Sequence, residues 1–172
     1  LGLKERARAL KEAGLMRLNI SLDSLKSERY RELTRGGNLG AVLDGIDAAV
    51  KYQLTPIKIN CVLIRGKNDD EVDDFISLAQ EMPVSVRFIE LMPSGTLGNK
   101  RMLGVTGEGH LSSRTYLKPI PPAQIGQPAE EFAGEGFRGS VGLINPVSHK
   151  FCNACNRVRI TSDGKLKPCL GS

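Results

Sequence analysis

Three short segments with strict two-residue periodicity constrain this chain more than any other feature. In residues 17–23, Leu18, Ile20 and Leu22 alternate with Asn19, Ser21 and Asp23. Residues 57–64 set Ile57, Ile59 and Cys61 against Lys58 and Asn60, and residues 84–90 set Val84, Val86 and Phe88 against Ser85 and Arg87. That period is the mark of a strand with one face on a core and the other turned away from it. Helical periods separate the strands. Residues 3–13 carry Leu3, Ala7 and Leu10 before a stop at Gly14. A loop after the first strand leads to a helix over 39–52, with Val42, Ile46, Ala49 and Val50 on one face. A third helix over 69–81 carries Val72, Phe75, Ile76 and Ala79, with acidic residues in its first turn to suit the helix dipole.

Helix and strand in strict alternation predict a parallel sheet. A sheet covered on both sides has strands that are apolar almost throughout. These strands are split, so helices cover one side and the other lines something wet. The expectation is an α/β chain: the later part of an incomplete, TIM-like (β/α) barrel with a polar cavity. Three strands cannot close a barrel, so the chain reads as an internal piece of a longer protein. Beyond Met92 the pattern changes. Residues 93–129 are rich in Gly, Pro, Ser and Thr, with one short strand expected near 116–120. Strands return over 137–144, 157–161 and 165–169. We therefore divide the chain into 1–94, the barrel part, and 95–172, a small β-rich domain.

The strongest chemical signal lies in that second part. Cys152 and Cys155 form a CxxC pair, and Cys169 follows. Between them Asp163-Gly164 is a two-residue hairpin signal, since both positions tolerate positive φ. Pairing Ser162 with Lys165 sets Cys169 opposite Val158, which returns the third thiol toward the first two. Three clustered cysteines cannot close a set of disulfides among themselves, so metal binding is the better reading. His149, three residues before Cys152, leaves a His/Cys3 zinc site open. An iron–sulfur cluster with one open iron ranks ahead of it, although spacing alone does not decide between them.

Several cations point to an anionic ligand. Arg157 and Arg159 flank Val158 on one strand and share a face beside the cysteines, and guanidinium groups suit phosphate oxygens. Lys58 and Arg87, on different strands, both fall on the polar face with Ser21, Asn60 and Asp23. Either Asp23 pairs with Lys58, or an anion meets both cations. The net charge of +5 and a pI near 9.1 agree with an anionic partner. Five Phe, three Tyr and no Trp give little material for base stacking, so nucleic acid is set aside. No apolar run approaches the ~20 residues that span a bilayer, and a cytoplasmic location without membrane partners is expected.

These motifs together resemble a known family. Residues 17–25 (RLNISLDSL), 56–60 (PIKIN), 87–93 (RFIELMP), 151–159 (FCNACNRVR), 163–164 (DG) and 169–170 (CL) are similar, in order, to the MoaA family of radical S-adenosylmethionine enzymes, the GTP 3′,8-cyclases of molybdenum-cofactor biosynthesis. The likeness runs over nearly the whole chain and is weakest in the Gly/Pro-rich stretch. It implies the conversion of GTP to (8S)-3′,8-cyclo-7,8-dihydroguanosine 5′-triphosphate through a 5′-deoxyadenosyl radical, the first step toward molybdopterin. It implies that Ser21, Met92 and Arg87 lie at S-adenosylmethionine. Lys58, Arg157, Val158 and Arg159 are implied at GTP, and Cys152, Cys155 and Cys169 at an auxiliary [4Fe-4S] cluster. The family's second [4Fe-4S] cluster is held by a CxxxCxxC loop that this sequence lacks, so the catalytic, radical-generating residues are not among those present. The piece by itself is then expected to be inactive. Implied partners are GTP and the enzyme acting next in molybdopterin synthesis, with a homodimer left open. Two alternatives stand beside this. One is another radical enzyme with an auxiliary cluster, for which the arginine pair has no evident role. The other is a non-catalytic zinc module.

Overall fold

The alternation in residues 57–63 is realised as a strand whose residues are buried and half-buried in turn, and the architecture grows outward from it. The computed structural model describes residues 2–92, 104–121, 128–150, 152 and 158–167. In chain order, α1 (Leu3–Glu12) leads to β1 (Leu18–Ser21), α2 (Ser27–Leu33), α3 (Leu39–Lys51) and β2 (Ile57–Leu63). A 3-10 turn (Asp69–Glu71) runs into α4 (Val72–Glu81), then β3 (Val84–Glu90), α5 (Gly107–Leu111), β4 (Lys118–Ile120), β5 (Glu130–Ala133) and β6 (Ser140–Ile144). A separate hairpin joins β7 (Arg159–Ile160) to β8 (Leu166–Lys167).

Six strands form one sheet in the order β1-β2-β3-β6-β5-β4. The first three and β6 run parallel, and β5 and β4 add antiparallel strands beyond β6. The parallel α/β arrangement predicted from the alternation is therefore present. It also extends further than expected, because β6 enters the sheet directly beside β3. One side meets the helices: Ile57, Ile59 and Cys61 of β2 and Val84, Val86 and Phe88 of β3 join a buried cluster with Ile46 and Ala49 of α3 and Phe75 and Ala79 of α4. Phe75 meets Phe88 edge to face, ring centroids 6.0 Å apart at 88°, and burying each ring contributes about 1.5–3 kcal/mol. Among the described residues, no helix is long and apolar enough to cross a membrane.

Most elements start and stop for visible reasons. Asn38 caps α3, its side-chain oxygen accepting from the Ala41 amide at 3.1 Å. The strand expected from residue 137 starts only at Ser140. The Arg138 and Gly139 amides are already used, donating to the carbonyls of Gln80 (3.1 Å) and Ala79 (2.9 Å) at the end of α4. Three elements were not anticipated: α2, inside the expected loop, and α5 and β5. The terminal hairpin also differs from its prediction. Its ladder pairs Arg159 with Lys167 and Ile160 with Leu166, and Thr161, not Ser162, closes the loop, its amide donating to the Lys165 carbonyl at 2.9 Å. The loop thus has three residues, with Gly164 at φ +80° completing it. The register is one residue out from the one predicted to set Cys169 against Val158; Cys169 itself lies outside the described residues.

Candidate functional site

Because parallel strands pair in register, the polar positions of neighbouring strands line up in rows. Ser21 pairs with Asn60, Asn60 with Arg87, and Arg87 with Gly142, which pairs with Glu131 of β5. Beside this row runs a second: Asn19, Lys58, Ser85 and Ser140. All occupy the face opposite the helices. The face is open at β1, where Ser21 is exposed, and closes toward β6, where Arg87 is 4% and Glu131 9% exposed.

A hydrogen-bonded network fills the closed end. Arg87 Nη2 donates to Glu131 Oε1 at 2.7 Å. The hydroxyls of Ser85 (3.0 Å) and Ser140 (2.6 Å) donate to Glu131 Oε2. Gly142 makes this reach available: a Cβ there would stand 3.2 Å from Arg87 Cγ and 3.5 Å from Glu131 Cδ. The arginine therefore crosses β6 where that strand has no side chain. Next to the network lies a cavity of about 470 Å³, lined among others by Arg17, Lys58, Ser85, Arg87, Glu131 and Ser140. Such a volume is of ligand size, and three of those six side chains are cationic.

The far ends of the strands are fixed by carboxylates and an amide. Asp23 accepts from the Val62 amide at 2.8 Å, and burial raises its carboxyl above the ordinary value, an effect that hydrogen bond partly offsets. The Asp23–Lys58 ion pair left open by the sequence is not among the described contacts. Its physical obstacle is register: Val62, beside Asp23, is four residues along β2 from Lys58, about 13 Å at the rise of a strand. Asn68, fully buried, accepts from the Ile64 amide (2.8 Å) and donates to the carbonyls of Asp23 (2.7 Å) and Val62 (2.9 Å). Glu71, also fully buried, accepts from the Ser24 hydroxyl (2.8 Å) and the Leu25 amide (2.7 Å), and pairs with Arg29. Arg29 reaches Asp70 too, and the hydrogen bonds from Lys26 and Arg29 hold the Asp70 carboxyl down at about 2.

The expected site residues divide accordingly. Ser21, Lys58, Asn60 and Arg87 share the polar face, and Met92 follows β3 by two residues, half-buried. Val158 is 64% exposed and Arg159 is exposed on β7. Cys152 is exposed, whereas Cys155, Arg157 and Cys169 lie outside the described residues. Among the described residues no group of three or more His, Cys, Asp and Glu side chains could hold a metal. His149, the alternative zinc ligand, stands 3.7 Å from Glu108. Cys61 is fully buried, and burial, followed by the nearby Asp23 and Glu71 carboxylates, pushes its thiol far up, away from metal-ligand chemistry. The sequence did not point to Glu131, Asn68 or Glu90. The last accepts from the amides of Val147 (2.8 Å) and Ser148 (2.9 Å). It thereby pins the segment leading to Cys152 to the end of β3.

A helix-covered, mainly parallel sheet with a polar ligand-sized face is the arrangement of an α/β enzyme domain, and residues 1–79 match the model of the Radical SAM superfamily. Residues 84–172, just over half of the chain, match the model for Molybdenum Cofactor Synthesis C. The chain belongs to this molybdenum-cofactor synthesis family, as its motifs suggested. It is 52% identical over 165 residues to the GTP 3′,8-cyclase of Moorella thermoacetica, covering 94% of this chain and 51% of that relative. The GTP 3′,8-cyclase of Alkaliphilus oremlandii is 52% identical over 169 residues, 96% of this chain and 52% of the relative. That of Alkaliphilus metalliredigens is 48% identical over 171 residues, 99% of this chain and 53% of the relative. The chain thus spans about half the length of the curated relatives it matches.

Proposed function

We propose that this chain forms the GTP-facing part of a GTP 3′,8-cyclase, with residues 1–94 belonging to an incomplete radical-enzyme barrel and residues 95–172 to an auxiliary-cluster domain. The observation that carries the reading is the polar face itself, a ligand-sized cavity with Lys58 on one wall, in a chain about half identical to enzymes of that name. Lys58 and Arg17 would meet the triphosphate of GTP, joined by Arg157, Val158 and Arg159 from beside the cysteines. Ser21, the last residue of β1, Met92, two residues past the end of β3, and Arg87 would face S-adenosylmethionine. Ligand placement near strand ends is the habit of such folds.

Three thiols in a CxxC…C set offer the soft donors that iron–sulfur clusters take, so Cys152, Cys155 and Cys169 would hold a [4Fe-4S] cluster. When bound, that cluster supplies an open iron to the base of the substrate. A reducing compartment such as the cytoplasm keeps those thiols available. Product would pass to an enzyme that acts on a cyclised nucleotide.

The test is GTP binding to the full-length protein. Replacing Arg159 by Ala removes a charge-assisted hydrogen bond worth ~1.5–3 kcal/mol, so the dissociation constant should rise about ten- to a hundred-fold, and Lys58→Ala should act likewise. Unchanged affinity in both variants would separate this face from the nucleotide.

A further inference from the structure

We infer that Glu131 is a positioning residue for the polar face: it draws Arg87 across β6, holds its guanidinium, and sets the charge that an anionic ligand meets. This rests on the reading of that face as the place where the triphosphate of GTP lies next to S-adenosylmethionine, with Arg87, beside the cofactor, lining the same cavity as Lys58 and Arg17, and it adds a residue to that reading. Four observations converge. Glu131 lies two strands away from Arg87, yet its carboxylate is 2.7 Å from the guanidinium. Gly142, the strand residue between them, leaves the path that any Cβ would crowd, at 3.2 Å from Arg87 Cγ. Ser85, on β3 with Arg87, and Ser140, on β6, donate to the other carboxylate oxygen, so the acceptor is held from both strands that separate it from β2. The pair lines the same cavity as Lys58 and Arg17.

A carboxylate in that position lowers the positive potential felt by an anion, because the pair is almost dry and poorly screened. It also fixes which way Arg87 points, since a buried guanidinium follows its counter-charge. A triphosphate must enter and its product must leave. A face carrying the arginine without its carboxylate would hold both more tightly.

The experiment measures binding of GTP and of inorganic triphosphate to the full-length protein across a salt series, with thermal unfolding alongside. Glu131→Gln keeps the size and loses the charge. It should bind both probes about tenfold more tightly, with a steeper salt dependence, and Glu131→Asp should restore the parent values. Arg87→Gln leaves the carboxylate facing the anion and should bind about tenfold more weakly. The double variant Arg87→Gln/Glu131→Gln restores the charge balance and should return to within about threefold of the parent. A purely structural Glu131 would lower the melting temperature of Glu131→Gln without moving affinity or salt dependence, and that result overturns the inference. Should Glu131→Gln fail to fold, equal affinity of the Arg87→Gln and double variants overturns it instead. If the unaltered protein binds neither probe, the triphosphate reading falls and this inference with it. If it binds while the variants do not differ, only the inference falls.

Discussion

Truncating Asn68 to Ala tests how the strand ends beside the polar face are held. The side chain is fully buried between the loop after β1 and the turn before α4. It satisfies the Ile64 amide at 2.8 Å and the carbonyls of Asp23 and Val62 at 2.7 and 2.9 Å. Alanine leaves one buried donor without this partner, at about 1–3 kcal/mol, and takes a hydrogen bond of about 1 kcal/mol from each carbonyl. The expected loss is ~3–5 kcal/mol, a large share of the stability of an ordinary domain. For a chain of this size that is a fall of roughly 6–20 °C in melting temperature. Urea titration gives the free energy directly and a melting curve gives the shift. Asn68→Asp sharpens the result. It keeps the acceptor for Ile64 but replaces the donating amide with a carboxylate facing two carbonyls, so at neutral pH it should lose at least as much. A loss under about 1 kcal/mol for Asn68→Ala would mean that the loop is held by other contacts, Glu71 first among them.

Two further outcomes follow from Asp23 at the strand ends and from Cys61 in the core. Burial raises the Asp23 carboxyl above its ordinary 3.8, so the folded state binds this proton more readily than the unfolded chain. The charged form therefore subtracts stability at neutral pH, and the penalty fades as pH falls through the raised value toward 3.8. Asp23→Asn, which retains an oxygen for the Val62 amide, should be at least as stable as the parent at pH ~7 and lose that advantage in acid. A variant clearly less stable at neutral pH would contradict this. Cys61, buried and with its thiol pushed far up, should resist alkylation in the folded, cluster-free protein while the exposed Cys152 reacts. Labelling of Cys61 at the rate of Cys152 without denaturant would show that the core around β2 opens.

Local periodicity made much of this molecule readable. The period-two segments became β1, β2 and β3, and β3 spans Val84–Glu90 as its pattern indicated. In-register parallel pairing then brought Ser21, Lys58, Asn60 and Arg87 onto one face, a consequence of alternation that requires no knowledge of the loops. What escaped was either short or non-local. The α2 helix has seven residues, of which only Tyr30 is buried, too few to print a period. The strand Glu130–Ala133 has four residues and earns its state from pairing with β6 and β4. Glu131 was invisible for that reason: its partner Arg87 is 44 residues earlier, on the far side of an intervening strand. Glu71 carried a partial signal as an acidic residue at a helix start. Its burial against Ser24 and Leu25 depends on where the loop after β1 lands.

The placement of β6 bears most on how the candidate site works. The two family models meet between residues 79 and 84, immediately before β3. The sheet crosses that point, with β2 and β3 paired along seven residues. Ser21, Lys58 and Asn60 come from the first matched region, and Ser85, Arg87, Glu131 and Ser140 from the second. The polar face is thus a joint product of the two regions, with β3 as its seam. A substitution at the seam that alters the pairing of β3 with β6 would move Arg87 and Ser85 against Lys58 without touching either strand end. The ion pair across Gly142 opposes such movement, since Arg87 Nη2 and Glu131 Oε1 stay 2.7 Å apart only while β3, β6 and β5 keep their register. Structural integrity at the seam and the charge presented to an anion therefore rest on the same carboxylate.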